Sequence, residues 1–252
     1  MSNIFDALNK QQKNRPLPDE DPLIPVHPQQ SGGTLPEAGG TERDLEMERL
    51  RQRVLLELGP VSSATLVFTG AVDGEGSTTL ALLFARELAQ AEQRPVLLVD
   101  ADIDGYETSL SGAMKSVQAP SVGLTDLLLR RGELSQALLA TEQPNLHFLH
   151  RGGDIGAPLD VIKTEAVRSL FKELERHYAY VIVDTSPVLQ APETSLLGAA
   201  ADGVVVVIRA NRTRREVVQR GLRMLGQGNC RILGAVLNER RYPIPPFVYR
   251  RL

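Results

Sequence analysis

The sequence predicts an α/β fold in which a doubly wound, mainly parallel sheet carries helices on both faces. Six runs of Val, Leu and Ile are nearly continuous, which is typical of strands that are buried on both sides. Segments of helical periodicity separate these runs, as parallel neighbours in a sheet require. With 252 residues, of which 42% are apolar, the chain is long enough to bury such a core. The predicted strands are residues 65–69, 95–100, 145–150, 180–184, 203–209 and 231–237.

Helices are predicted in the intervals between these strands. Ahead of the first strand, residues 42–58 are expected to form a charged helix, because Thr41 and Asp44 have the spacing of a capping pair. The remaining predicted helices are residues 78–93, 124–129 with 134–139, 164–177, 193–200 and 214–226.

The chain is expected to have four parts. Residues 1–13 have the apolar spacing of one short amphipathic helix. Residues 14–41 contain six prolines and four glycines, a composition typical of a disordered linker without a packed core. Residues 42–240 form the predicted folded domain, and residues 241–252 are a short, proline-rich tail.

Composition favours a cytoplasmic protein without nucleic-acid partners. The net charge is −3 and no large basic block occurs, so nothing in the charge pattern favours DNA or RNA. Cys230 is the only cysteine, which excludes an intramolecular disulfide and fits a reducing compartment. The longest apolar run, residues 204–208, is too short to span a bilayer, and the first residues lack a signal-peptide pattern. Any membrane association is therefore expected to depend on a partner.

Residues 65–89 have the pattern of a phosphate-binding loop: a buried strand, a loop with glycines, and an apolar helix. The usual motif is a small residue, four others, and then Gly-Lys-Ser/Thr. Here Gly76 and Thr78 fit the motif, but Ser77 occupies the lysine position. Gly74 and Gly76 would let the backbone close around a phosphate, and Thr78 would offer its hydroxyl to Mg²⁺. The predicted nucleotide-binding residues of the loop are Gly74, Glu75, Gly76, Ser77, Thr78 and Thr79.

Aspartates close two of the other predicted strands. Asp100 and Asp102 end the second strand and, being two residues apart, share one face of it. Asp184 ends the fourth strand. Ligands of parallel sheets bind beyond the carboxyl ends of the strands, so three acids there fit a Mg²⁺ shell and a base for a water or hydroxyl nucleophile. The alternative is that these aspartates cap the helices that follow them.

The ordered motifs of residues 43–240 resemble the bacterial tyrosine kinases of capsule and exopolysaccharide synthesis. That family belongs to the deviant-Walker ATPases, together with septum-site and plasmid-partition proteins. The motifs that carry the resemblance are Gly-Glu-Gly-Ser-Thr-Thr, Val-Leu-Leu-Val-Asp-Ala-Asp, Gly-Leu-Thr-Asp-Leu-Leu, Tyr-Val-Ile-Val-Asp-Thr-Ser-Pro-Val, Ala-Asp-Gly-Val-Val-Val-Val-Ile-Arg-Ala and Leu-Gly-Ala-Val-Leu-Asn.

The resemblance implies a P-loop NTPase-like fold and the cofactors ATP or ADP with Mg²⁺. It implies that Thr78, Asp100 and Asp184 hold the metal, and that Asp102 acts in catalysis together with the two metal-binding aspartates. Asn238 is implied to lie near the base. A membrane partner is also implied, the chain-length determinant or polysaccharide co-polymerase, which places the protein at the inner face of the plasma membrane.

The same family has an oligomerisation helix in which one Glu and two Arg recur at every third residue. In residues 42–58, Glu46 and Arg49 match this spacing, but Gln52 stands at the third position. Two interpretations stay open: a homo-oligomer built through this helix, or charged residues on an exposed helix.

Three departures from the family bear on function. Ser77 replaces the loop lysine, and no lysine occurs between residues 14 and 114. An Ile-Asp pair replaces the arginine that usually follows Asp-Ala-Asp. The tail has only Tyr242 and Tyr249 as phosphoacceptor candidates, instead of a dense cluster of tyrosines.

The predicted site is strongly acidic, because Asp73, Glu75 and Asp104 join the three strand-end aspartates. Mg²⁺ would offset part of this charge, and Arg209, at the end of the fifth strand, is the cation placed to reach in. Losing one group that stabilises a charged transition state typically costs about 10²–10³ in rate. The favoured hypothesis is therefore a kinase-like regulatory module that binds nucleotide weakly or not at all and acts on a membrane polymerisation or export partner.

Two alternatives are kept. One is an active ATP-dependent protein-tyrosine autokinase, in which Mg²⁺, Arg209 or a neighbouring subunit replaces the lysine. The other is a positioning ATPase of the septum or partition type. It is disfavoured because the sequence lacks the signature lysine and shows no amphipathic C-terminal helix.

Overall fold

The computed structural model describes residues 41–102, 110, 122–152 and 163–239, without the side chains of residues 41–43. Outside the described residues lie the predicted N-terminal helix (1–13), the linker up to residue 40, the tail (241–252), Asp104, and the phosphoacceptor candidates Tyr242 and Tyr249.

In the described part of the chain, seven strands form one sheet in the order β3-β4-β2-β5-β1-β6-β7. All neighbours are parallel except β3 and β4. This confirms the predicted doubly wound, mainly parallel sheet. The strands are β1 Ala64–Gly70, β2 Val96–Ala101, β3 Leu138–Ala140, β4 Leu146–Leu149, β5 Tyr180–Thr185, β6 Gly203–Arg209 and β7 Ile232–Asn238.

Helices cover both faces of this sheet. Among the described helices, none combines the length and the apolar character needed to cross a bilayer. The helices are α1 Thr41–Leu58, α2 Ser77–Ala91, α3 Leu124–Leu128, α4 Leu134–Ala137, α5 Thr164–His177, α6 Glu193–Ala200 and α7 Arg215–Gln227.

The central strand β1 shows why the predicted strands are continuously apolar. Successive side chains of a strand point to opposite faces. Leu66 and Phe68 accordingly pack with α1 and α2, whereas Val67 packs with the helices of the other face. The ring of Phe68 lies 5.1 Å from the ring of Phe84 in α2. Because both faces are covered, every residue of β1 is buried.

The sheet departs from the sequence prediction at one edge. The helix expected over residues 134–139 is wrong in its last two residues: α4 ends at Ala137, and β3 pairs antiparallel with β4. Both leucines of β3 are buried, and Thr141 closes the hairpin by donating its hydroxyl to the Leu146 carbonyl at 2.8 Å. A short run of leucines has no period that distinguishes a buried helix from a buried strand.

The strand order determines which strand ends meet. β1 lies between β5 and β6, and β2 lies on the far side of β5. The register places Asp100 of β2 directly opposite Asp184 of β5. Parallel neighbours are about 4.8 Å apart, so both aspartates and the loop after β1 share one edge of the sheet.

Candidate functional site

The predicted phosphate-binding loop follows β1 and turns directly into α2. Gly74 and Gly76 have φ angles of 75° and 86°, in the left-handed region that glycine adopts without steric cost. The first helical hydrogen bond runs from the Leu80 N–H to the Gly76 carbonyl at 3.0 Å. The N–H groups of residues 77–79 therefore precede the helical ladder. Together with the helix dipole they form a site that can hold an anion.

The Glu75 side chain lies inside the loop, against the loop backbone. Its side chain is only 2% exposed. The Oε2 atom accepts hydrogen bonds from the N–H groups of Ala71 and, at 3.2 Å, Val72. The carboxylate thus braces the loop from within, and its predicted role toward a nucleotide stays a prediction. What Glu75 still offers a ligand is its backbone N–H.

Asp100 and Asp184 are completely buried side by side at the ends of their strands. No described group donates a hydrogen bond of normal geometry to either oxygen of Asp184. Burial and the nearby Asp100 carboxylate raise the pKa of Asp184 well above its ordinary value. The hydroxyl of Thr78, the second residue of α2, opposes this shift and so lies close to the carboxylate.

These residues fit a divalent cation. A buried carboxylate that lacks hydrogen bonds of normal geometry is costly unless a cation or a proton compensates it. Two carboxylates and one hydroxyl supply the oxygen ligands that Mg²⁺ prefers, and Mg²⁺ usually completes its shell with waters and phosphate. Among the described residues, no cluster of three or more His, Cys, Asp or Glu forms a metal cage by itself. The geometry therefore favours Mg²⁺ bound together with a phosphate ligand.

Asp102 follows β2 and faces Ser186, a residue that the sequence does not predict to be part of the site. Ser186 donates its hydroxyl to Asp102 Oδ1. The carbonyl of Ser186 is itself held by the hydroxyls of Thr69, at 3.0 Å, and Thr194, at 2.8 Å. Burial raises the pKa of Asp102, whereas the Ser186 hydroxyl and the charge of Arg151 lower it. Asp102 is thus a half-buried carboxylate in a fixed position.

Arg209 and Asn238 contact the loop from its other side. The Arg209 guanidinium donates to the Gly74 carbonyl at 3.3 Å and pairs with Glu239 at 2.5 Å. Asn238 donates its amide to the Glu75 carbonyl at 2.9 Å. Both predicted residues are therefore at the site, but in this structure they hold the loop backbone. Their roles toward a nucleotide stay predictions.

Two further side chains reach the site without any motif in the sequence. Gln190, in the turn after β5, donates to Asp73 at the loop tip at 2.9 Å. Burial raises the pKa of Asp102, and the charge of Arg151, in the turn after β4, opposes part of this rise. Both come from turns, where only the register of the sheet determines which groups meet. Asp73 is exposed at the loop tip, so the negative charge within the site comes mainly from the three strand-end aspartates.

Comparison with known proteins agrees with this geometry. Residues 65–226 match the AAA domain family. The tyrosine-protein kinase YwqD of Bacillus subtilis is 30% identical over 177 residues, which cover 70% of this chain and 73% of YwqD. The chain belongs to the bacterial tyrosine kinase family. At the position where the P-loop motif has a lysine, this member of the family has Ser77.

Solved structures extend the comparison of this bacterial tyrosine kinase homologue. The kinase domain of Escherichia coli tyrosine kinase ETK has a TM-score of 0.71 and 23% identity, covering 81% of this chain and 79% of that domain. Cobyrinic acid a,c-diamide synthase from Mycobacterium smegmatis, with bound ATP analogue and magnesium, has a TM-score of 0.57 and 22% identity over 73% and 84% of the two chains. At these identities the likeness shows a shared fold.

Replacing the buried carboxylate is expected to stabilise the ligand-free protein. The pKa of Asp184 is higher in the folded than in the unfolded chain. Between about 4, the ordinary carboxyl value, and the raised value, the folded chain binds more protons, so stability falls as pH rises. Asp184→Asn removes this loss and should be more stable than wild type at pH 8, by about 1–3 kcal/mol.

Urea unfolding between pH 4 and pH 8 measures this difference. The gain should shrink towards acidic pH, where the Asp184 carboxyl is neutral in both states. Asp73→Asn, at an exposed position, serves as the control and should show no such trend. If Asp184→Asn were less stable than wild type at every pH, the ionised Asp184 carboxylate would not be destabilising, contrary to this prediction.

Removing the loop brace is expected to destabilise the protein. Glu75→Ala leaves the N–H groups of Ala71 and Val72 without their acceptor. An unsatisfied buried donor costs about 1–3 kcal/mol. Urea unfolding at pH 7 measures the loss, and Glu75→Gln, which keeps an acceptor oxygen, should recover most of it. Equal free energies of unfolding for Glu75→Ala and wild type would show that these two hydrogen bonds do not stabilise the fold.

Proposed function

We propose that this chain is a kinase-like regulatory protein of bacterial capsule or exopolysaccharide synthesis in which phosphoryl transfer is impaired. It binds ATP or ADP with Mg²⁺ weakly, and it acts by contact with a membrane partner. Membership of the bacterial tyrosine kinase family supports the kinase-like part, because its relative YwqD is a tyrosine-protein kinase. The impairment rests on one observation, the serine at the first position of α2.

Ser77 offers a short neutral hydroxyl where the P-loop motif has an ammonium group on a long stem. The described residues contain two lysines, and neither contacts the loop: Lys163 precedes α5, and Lys172 pairs with Glu175 at 2.7 Å. A charged group at this position normally stabilises the phosphate oxygens during transfer. Its absence weakens transfer more than binding, because the backbone N–H groups still hold the phosphates.

The remaining parts of the site support weak Mg²⁺-nucleotide binding. Thr78, Asp100 and Asp184 are the residues that hold Mg²⁺ in this proposal. When bound, Mg²⁺ neutralises phosphate charge and orients the transferred group. The chain itself supplies the cradle of N–H groups at the start of α2 and the loop fixed by Glu75. Asp102, held by Ser186, is the base candidate.

A second function, an active tyrosine autokinase, is favoured by Arg209. Its guanidinium already lies against the Gly74 carbonyl, at 3.3 Å. A rearrangement of this side chain onto a phosphate would replace part of the lysine charge. In the observed arrangement, however, Arg209 is paired with Glu239, so its charge is already compensated. The impaired kinase-like module therefore stays the preferred proposal.

The membrane partner is a chain-length determinant, or polysaccharide co-polymerase, which holds the protein at the cytoplasmic face of the plasma membrane. The support is family membership alone. Helix α1 is proposed to mediate contacts between copies of the chain, since Glu46 and Arg49 are exposed on it and pair with each other at 3.0 Å.

Nucleotide assays test the impairment. Wild type should bind Mg²⁺-ATP weakly and form no phosphotyrosine, whereas Ser77→Lys should bind about tenfold to a hundredfold more tightly because it adds a charge-assisted contact. Calorimetry measures the affinity, and an anti-phosphotyrosine blot follows the reaction. Ser77→Met, of similar length but uncharged, is the control. Phosphotyrosine on Tyr242 or Tyr249 in wild type, lost on Asp100→Ala, would establish the autokinase instead.

Co-purification tests the partner. The tagged chain should retain the cytoplasmic segments of a chain-length protein that is encoded beside it, and light scattering of the chain alone should show more than one copy. Charge reversal of both Glu46 and Arg49 should reduce assembly between copies. Recovery of a monomer that never retains the chain-length protein would remove the partner from the proposal.

A further inference from the structure

Helix α7 and the turn before it carry a row of exposed arginines. Residues 210–229 contain five arginines and a single acidic residue, Glu216. All five arginines are exposed, and within the described part of the chain none of their guanidinium groups has an ion-pair partner. These residues, which together form the basic face of the molecule, are Arg212, Arg214, Arg215, Arg220 and Arg223.

The other side of α7 is packed against the protein. Leu225 is completely buried, and a Cβ at Gly221 would lie 3.2 Å from Val188 and 3.3 Å from Ala71. Arg215 and Arg223 are two steps of four residues apart, so they lie on the same side of the helix, about 12 Å apart along its axis. Because the apolar side is already buried, α7 offers the solvent an extended strip of positive charge.

The surroundings of the basic face supply little negative charge. The neighbouring helix α6 has one acidic residue, Glu193, and that side chain is only 1% exposed. The chain as a whole has a net charge of −3, so the basic face has the opposite sign to the rest of the molecule. Like charges three or four residues apart destabilise a helix slightly, and an anionic partner would remove that cost.

The shape and composition of the basic face favour a lipid surface over a nucleic acid or a peptide. No aromatic residue occurs between residues 210 and 229, so unpaired bases have no ring on which to stack. The arginines lie on the convex side of a helix, whereas bound peptides usually occupy a groove or a sheet edge. A leaflet of anionic lipids presents many mobile charges and requires neither a groove nor a stacking platform.

We propose that the basic face of α7 binds the anionic phospholipid surface of the membrane directly. Clusters of about four to eight basic residues on an amphipathic helix are typical of such binding. Since the apolar side of α7 is buried in the protein, the attachment is electrostatic, without insertion into the bilayer, and it weakens with salt.

This attachment would act in addition to the membrane partner, and it affects how the molecule is oriented. The turn before α7 follows β6, which pairs with β1 as far as Gly70, the residue before the P-loop. The P-loop edge of the sheet is therefore the edge that the start of the basic face holds near the membrane. Lipid binding itself requires neither nucleotide nor partner, so it is testable on the chain alone.

Vesicle sedimentation with the full chain tests the lipid contact. At physiological ionic strength, wild type should bind vesicles of equal parts phosphatidylglycerol and phosphatidylcholine, and it should not bind vesicles of phosphatidylcholine alone. The triple variant Arg212→Gln, Arg215→Gln, Arg223→Gln should bind about a hundredfold more weakly, because each basic residue near an anionic surface contributes about fivefold. Wild-type binding should disappear at about 0.5 M salt, where screening is much stronger.

Two control proteins separate the basic face from the total charge. The triple variant Arg53→Gln, Arg131→Gln, Arg176→Gln removes the same charge from exposed positions elsewhere, and its vesicle binding should stay close to that of wild type. Glu216→Gln removes the acidic residue from the helix and should strengthen binding by about fivefold. A gain of this kind cannot come from unfolding, and circular dichroism confirms that each variant is folded.

Any of three results would overturn the inference. The first is a wild type that does not prefer the anionic vesicles, and the second is an equal loss in both triple variants. The third is binding of duplex DNA that is as tight as vesicle binding and is lost in the variant of the basic face, which would make this face a nucleic-acid surface. The assay contains neither nucleotide nor partner, so each of these results leaves the proposed function untouched.

Discussion

Two carboxylates buried side by side are the constraint on which this site depends. Asp100 and Asp184 end neighbouring parallel strands in register, and both are inaccessible to solvent. Burial and the neighbouring Asp100 carboxylate raise the pKa of Asp184, and such a pair destabilises the fold unless a cation or a proton compensates its charge. In the proposed function a divalent ion compensates this pair, and the neighbouring Thr78 hydroxyl and loop N–H groups are the reason that we propose it binds together with phosphate.

The loop beside this pair is held rigid by contacts that involve no ligand. Glu75 satisfies the first N–H groups of the loop, and Asn238 and Arg209 hold its outer carbonyls. Preorganised donors bind an anion without the cost of ordering the chain. A loop without lysine can therefore retain the shape of a nucleotide site, which is the physical basis for our proposal that transfer is weakened more than binding.

The loop itself carries no cation, and the arginines nearest to the proposed site belong to the strands and turns around it. Ser77 is neutral, while Arg151 lies on the β4 wall and Arg209 on the β6 wall. Arg209 is already paired with Glu239, so its charge is compensated in the observed arrangement.

The sequence alone determined the parallel sheet, the strand–loop–helix of the P-loop and the three strand-end aspartates. These features depend on periodicity and motif spacing, which involve only residues close together in the chain. It failed for β3, where buried leucines carry no distinguishing period. It gave no signal for the direction of the Glu75 carboxylate, which depends on how the loop closes, or for Ser186 as the partner of Asp102. Only the tertiary structure decided these, since strand order and register bring together residues that are distant in the chain.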